Sequence, residues 1–221
     1  GMVQEFRPLK YTVQPGGSLS GSFRVPGDKS ISHRSIMLGA LAEGTTRVSG
    51  FLEGDDALAT LNSFRQLGVE IEGPNNGQVV IHGVGLHGLK AAEGVLDVGN
   101  SGTSMRLISG LMAGQQFDTT LIGDSSLMKR PMERVAKPLR LMGAQVETGN
   151  SGKPPLLIKG GSSLKAIRYE LPMASAQVKS CVLLAGLYAD GITEVLEPAP
   201  TRDHTERMLR GFGCEVVVDG P

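Results

Sequence analysis

The chain has 221 residues, 40% of them hydrophobic and 20% charged, with 22 Lys plus Arg against 22 Asp plus Glu. Such a length and composition allow a substantial core in one large or two small domains and argue against disorder. At zero net charge no global field favours nucleic acid or an anionic membrane surface, so any anion site has to be local.

Cys181 and Cys214 sit in apolar patterns without metal-ligand spacing, which suits buried thiols in a reducing, cytoplasmic compartment. The opening Gly1-Met2-Val3-Gln4-Glu5 has no basic region followed by an apolar run, so no secretory signal is expected. No uninterrupted apolar run approaches the roughly 18 residues of a membrane-spanning helix. The 31 glycines, set against 4% aromatic residues and lacking a collagen period, predict many tight turns and close backbone approaches.

In chain order, residues 9–13 and 18–25 read as short strands around Pro15-Gly16-Gly17. A helix follows Asp28 or Ser30, either of which can cap it, with Ile31, Ile36, Met37, Leu38 and Leu41 on its buried side. It ends at Glu43-Gly44 and leads to a strand at 45–48, a helix at 56–66 stopped by Gly68, and a strand at 69–72. The same order returns from 95: strand 95–98, turn Gly99-Asn100-Ser101-Gly102, helix 103–113, Gly114, strand 119–122, helix 133–141, Gly143 and strand 144–147. It returns again from 168: strand 168–171, Pro172-Met173-Ala174-Ser175-Ala176-Gln177, an apolar helix to Ala189, Gly191, strand 193–196, helix 203–210, Gly213 and strand 214–218. The glycines after the first helices, Gly44, Gly114 and Gly191, are 70 and 77 residues apart; those after the second, Gly68, Gly143 and Gly213, are 75 and 70 apart. Two landmarks in step predict three copies of one strand-helix-strand-helix-strand unit.

Each first helix opens on small polar residues: Ser30 and Ser32, then Ser101, Thr103 and Ser104, then Ser175 and Gln177. Packed around a pseudo-threefold axis, three helix starts converge on one region and favour a small polyanion. Val25-Pro26-Gly27-Asp28-Lys29-Ser30-Ile31-Ser32-His33-Arg34 adds a lysine and an arginine to the first start, with Ser30 and Arg34 on one helix face. Gly102-Thr103-Ser104-Met105-Arg106 places a bare backbone and a cation at the equivalent point of the second copy. In Lys129-Arg130-Pro131-Met132, Pro131 fits a first helical position, and Arg130 before it lies along the helix axis. Thr201-Arg202-Asp203-His204-Thr205-Glu206 holds the matching place in copy three, with the spacing of a capping box. Gly83-Val84-Gly85-Leu86-His87-Gly88 has the dinucleotide glycine spacing, but Gly94 interrupts any helix after it and no acidic residue stands about 20 positions on, so no cofactor loop is expected. His33, His82, His87 and His204 show no metal spacing and read as structural or solvated.

Four of these motifs, Val25 to Arg34, Gly99 to Arg106, Lys129 to Met132 and Ser175-Ala176-Gln177-Val178-Lys179-Ser180, in this order, closely resemble the 3-phosphoshikimate 1-carboxyvinyltransferases, or EPSP synthases. The resemblance implies an α/β fold, one domain of the enolpyruvyl transferase architecture with three βαβαββ repeats around a pseudo-threefold axis. It implies that 21–221 forms this domain and that 1–20 pairs with a second domain. By the same resemblance Lys29, Ser30, Arg34, Ser175, Ala176, Gln177, Thr201 and Arg202 bind shikimate 3-phosphate, and Lys29, Gly102, Arg130 and Gln177 bind phosphoenolpyruvate. Ala176 replaces a second serine found in other branches, which removes one hydroxyl contact.

The activity so implied is transfer of the enolpyruvyl group to the 5-hydroxyl of shikimate 3-phosphate with release of phosphate, in aromatic amino acid biosynthesis, without cofactor or metal. The proton-transferring acids and further cations of the family belong to the second domain, so the resemblance implies that this chain alone folds, binds shikimate 3-phosphate weakly and does not turn over. Two readings compete: a UDP-N-acetylglucosamine enolpyruvyl transferase, disfavoured because Gly123-Asp124-Ser125-Ser126-Leu127-Met128 lacks its reactive cysteine, and a non-catalytic anion-binding module of the same fold.

Overall fold

The computed structural model describes residues 9–13, 19–20, 29–199, 205–211 and 216–219. Strand β1 (Leu9–Val13) comes first, followed by β2 (Leu19–Ser20), α1 (Lys29–Leu41), β3 (Ala42–Val48), α2 (Asp55–Gln66), β4 (Glu70–Asn75) and β5 (Gln78–Val84). The second copy is β6 (Leu96–Asp97), α3 (Gly102–Met112), β7 (Thr119–Ile122), α4 (Glu133–Leu141), β8 (Val146–Glu147) and β9 (Leu156–Ile158). The third is β10 (Arg168–Glu170), α5 (Ala176–Gly186), β11 (Thr193–Glu197), α6 (Thr205–Gly211) and β12 (Val216–Asp219).

These strands form three four-stranded sheets with the orders β2-β3-β5-β4, β6-β7-β9-β8 and β10-β11-β1-β12. In each, the first two strands are parallel. The next is antiparallel to the second and to the outer strand. One topology is therefore built three times, which is the repeat that the spaced glycines announced. The five-element unit read from the residues gains a sixth element, a fourth strand, β5 or β9. Three apolar residues, Leu156 to Ile158 after Pro154-Pro155, are too short a run to be legible as a strand on their own.

In the third sheet that slot is filled from the other end of the chain. Leu9 to Val13 lies between β11 and β12, with Tyr11 opposite Val195 on one side and Val218 on the other. The resemblance led us to expect the first 20 residues against a second domain; in this chain β1 satisfies backbone groups that β11 and β12 would otherwise present as open edges.

The three first helices are the interior. Residues 32–41 of α1, 178–186 of α5 and nearly all of α3 are buried, and a helix apolar on every side has to lie inside. The second helices are one-sided: α2 buries Ala57, Leu61 and Phe64, and α4 buries Val135, Ala136 and Leu139. Gly68 and Gly143 follow the last turns of α2 and α4 with φ of 90° and 100°, the left-handed conformation that ends a helix without a Cβ clash. Gly44 and Gly114 do not close helices in this way. Gly44 sits inside β3 opposite Gly83, and a Cβ on Gly114 would lie 2.3 Å from the Tyr188 ring. The stretch 83–88 leaves β5 and turns without entering a helix, as expected of a glycine spacing that is not a cofactor loop. No helix among the described residues is long and apolar enough to cross a membrane.

Candidate active site

The starts of the inner helices carry several of the predicted residues, and serine caps two of these helices. Ser101 Oγ accepts from the Ser104 amide at 3.0 Å, and Ser175 Oγ accepts from the Val178 amide at 3.3 Å, satisfying a first-turn donor of α3 and of α5. Ala176 and Gln177 follow in the first turn of α5. Lys29 and Ser30 open α1, but their side chains, like Thr201 and Arg202 altogether, lie outside the described residues.

Polar contacts bridge the three repeats at the level of these helix starts. Between the first and second, His33 Nδ1 of α1 lies 2.8 Å from Thr60 Oγ1 of α2, which is hydrogen-bonded to Ser104 Oγ of α3. Between the second and third, Arg106 Nη1 donates to Gln177 Oε1 at 2.8 Å, and Gln177 Nε2 donates to Thr103 Oγ1 at 2.8 Å. Between the third and first, Arg34 Nε donates to Thr205 Oγ1 at 2.7 Å and Nη2 to Ser180 Oγ at 3.1 Å. The convergence of helix starts expected from the repeat is thus present in the contacts of α1, α3 and α5.

Gly102, Arg106 and Arg130 meet. A Cβ on Gly102 would stand 2.7 Å from Arg106 Nη1 and 3.2 Å from Arg130 Nη1. Burial lowers the Arg106 pKa first, and the positive charges of Arg130 and Arg134 lower it further. Three guanidinium groups crowded at a helix start create a field that an anion relieves.

Arg130 arrives there by a loop. A short 3-10 turn, Leu127–Lys129, precedes it, and its backbone is extended at φ −86° and ψ 130°. Asp124 braces this loop against the α3 turn: Asn100 Nδ2 donates to its two carboxylate oxygens at 3.2 and 3.0 Å, and the Leu127 amide to Oδ1 at 2.8 Å. The Leu127 amide and then the Asn100 side chain hold the Asp124 carboxyl below its usual range. Pro131 is not the first helical residue, as its position had suggested. Met132 is the N-cap and α4 starts at Glu133, because the 3-10 turn takes up the residues that would have begun the helix.

A cavity of about 310 Å³ opens beside Ser175, between Arg134 and Lys137 of α4 and the apolar Tyr169, Leu171 and Val178. Behind Gln177, Lys179 Nζ and Glu197 Oε2 form a 3.1 Å ion pair with both side chains 0% exposed. Cys181 is buried and its thiol is pushed up to about 12 by desolvation, so it is an inert thiol. Cys214 and His204 lie outside the described residues. The other histidines are structural: besides His33, His82 Nε2 lies 3.0 Å from Glu72 Oε2, and His87 packs edge-on against Tyr188.

Ser180, Thr205 and Thr60 were not legible as site residues. The available signal was polarity in the wrong place: Lys179-Ser180 interrupts an apolar helix, and Thr60 stands on the apolar face of α2 with Ala57, Leu61 and Phe64.

Residues 13–220 match the family profile of EPSP synthase (3-phosphoshikimate 1-carboxyvinyltransferase). A curated 3-phosphoshikimate 1-carboxyvinyltransferase of Hydrogenovibrio crunogenus is 68% identical over 208 residues, covering 94% of this chain and 47% of that protein. That of Methylococcus capsulatus is 67% identical over 214 residues, 97% of this chain and 49% of that protein. A solved EPSP synthase from Acinetobacter baumannii superposes with a TM-score of 0.84 at 66% identity, covering 93% of this chain and 46% of that one. The chain spans about half the length of the curated relatives it matches. With the threefold topology, the crowded guanidinium groups at a helix start and this similarity along nearly its whole length, the chain belongs to the EPSP synthase (3-phosphoshikimate 1-carboxyvinyltransferase) family.

Proposed function

We propose that this chain is the N-terminal half of an enzyme that transfers the enolpyruvyl group of phosphoenolpyruvate to the 5-hydroxyl of shikimate 3-phosphate, releasing phosphate. The cluster of Gly102, Arg106, Arg130 and Gln177 carries the reading, because it sets a bare backbone and two cations against the start of a second inner helix. Lys29, Ser30, Arg34, Ser175, Ala176, Gln177, Thr201 and Arg202 hold shikimate 3-phosphate. Lys29, Gly102, Arg130 and Gln177 hold phosphoenolpyruvate.

The chemistry requires two anions to be held together against their repulsion, and fixed guanidinium groups and helix starts do this without reorganising during the reaction. Protonation of the methylene carbon and attack of the 5-hydroxyl at C2 produce a tetrahedral adduct, which then expels phosphate. The groups that move these protons, and further cations for phosphoenolpyruvate, come from a second domain of the longer protein. The three-repeat unit 21–221 supplies the shikimate-phosphate half of the site, works without cofactor or metal, and resides in the cytoplasm.

Titration of this chain with shikimate 3-phosphate, followed by amide shifts, is expected to perturb Ser175 to Gln177 and the first turn of α1, with no turnover when phosphoenolpyruvate is added. Unmoved amides would overturn the site. Near-normal turnover by the chain alone would overturn its division between two domains. Binding without activity, even when the second half is restored, would favour a non-catalytic module.

A further inference from the structure

We propose that Ser180 and Thr205 are positioning residues for Arg34, fixing through their hydroxyls the angle at which its guanidinium meets the shikimate phosphate; this rests on the binding role given to Arg34 above. Arg34 is in the second turn of α1 and only 3% exposed. Its Nε donates to Thr205 Oγ1 at 2.7 Å and its Nη2 to Ser180 Oγ at 3.1 Å, while the two hydroxyl oxygens lie 2.8 Å apart. Three side chains from three helices thus close a hydrogen-bonded triangle, and both hydroxyl residues are fully buried.

A guanidinium is planar and rigid, with its five N–H donors in a fixed fork. Holding Nε and Nη2 at two points therefore sets the plane of the whole group. One hydroxyl donates to the other while each accepts from Arg34, so the acceptors also fix each other's rotors.

The two anchors are not neutral bystanders in sequence. Ser180 lies three residues past Gln177 on α5, and Thr205 opens α6 three residues past Arg202. Arg34 belongs to the first repeat and both anchors to the third, so the triangle ties the α1 part of the site to the elements carrying the other proposed shikimate-phosphate residues. Packing could hold the helices together without hydroxyls; orienting a buried fork requires acceptors at two points.

Isosteric substitutions in the full-length protein separate the two roles. Thr205→Val keeps the shape and removes the acceptor, whereas Thr205→Ser keeps the acceptor and removes a methyl group. Ser180→Ala tests the second anchor independently should Thr205→Val not fold. Thr205→Val and Ser180→Ala are expected to raise the KM for shikimate 3-phosphate about tenfold, with the KM for phosphoenolpyruvate changed far less and Thr205→Ser within about twofold of the unaltered protein. A Thr205→Ser loss as large as that of Thr205→Val, or both KM values rising in proportion, would show a packing role and overturn the inference. Direct titration with shikimate 3-phosphate separates the two levels. No binding by the unaltered protein overturns the reading of the site and this inference together. Tight binding by the unaltered protein and equally tight binding by the variants overturns the inference alone.

Discussion

At Gly102 the absence of one methyl group lets two guanidinium groups approach the first turn of α3. The nearest atoms to a built Cβ are the Nη1 tips of Arg106 and Arg130, at 2.7 and 3.2 Å, which are ends of flexible side chains. Gly102→Ala should therefore leave the fold intact, with a Tm within a few degrees of the unaltered chain, because the tips can swing away. The site would not be spared. In the full-length protein we expect the KM for phosphoenolpyruvate to rise about tenfold, the scale of one displaced charge-assisted contact, with a smaller change for shikimate 3-phosphate. Equal KM values for the variant and the unaltered enzyme would contradict the placement of phosphoenolpyruvate. The placement of Gly102, Arg106, Arg130 and Gln177 at or just before helix starts was legible from residue type and spacing, whereas the ligands expected at Gly102, Arg130 and Gln177 followed from the family resemblance. The roles of Ser180 and Thr205 were not legible, because a buried hydroxyl shows its purpose only when another helix brings a donor to it.

Short connections do as much as helices to build this site. The turn before α3 and the loop before α4 are separate in sequence, and Asp124 joins them by accepting from Asn100 and Leu127. The hydrogen bonds favour the ionised carboxylate, so its folded pKa lies below the ordinary 3.8. A depressed folded pKa contributes stability that is fully present above the unfolded value and is lost as the pH falls through the folded one. The stability difference between the unaltered chain and Asp124→Ala should accordingly be constant from neutral pH to about 4 and shrink in more acid solution. Thermal unfolding at a series of pH values measures this, and a difference that persists unchanged at pH 2 would refute it. Most boundaries were legible: Thr119–Ile122 and Glu133–Leu141 coincide with the stretches expected from alternation and helical periodicity. Pro131 misled because its preference for a first helical position is local, whereas the 3-10 turn before it follows from the Asp124 bracket, a contact with a residue 24 positions earlier.

Across the whole molecule three copies of one unit are joined by a few buried polar contacts, and inside the third copy Lys179 and Glu197 form an ion pair with both side chains 0% exposed. Desolvating two charges offsets much of their attraction, so the pair contributes little net stability, but removing one member leaves the other's charge buried without that counter-ion. Lys179→Met should destabilise the chain by about 3–5 kcal/mol, while Lys179→Met combined with Glu197→Leu should recover most of that loss. Urea unfolding of both variants decides the matter, and a double variant as unstable as the single one would be inconsistent with a stranded charge.

What the amino-acid sequence determined by itself was the unit and its number, because helical periodicity, strand alternation and glycine spacing are local properties repeated three times. It also singled out the helix starts as candidate anion sites, since amides, hydroxyls and cations carry that preference wherever they occur. Only the tertiary structure decided which start faces which, and that β1, at the far end of the chain, completes the third sheet. It alone showed Arg34 turned inward to two hydroxyls from another repeat. Pairings of this kind join residues about 150 or more positions apart, and such distance leaves no periodic trace in the chain.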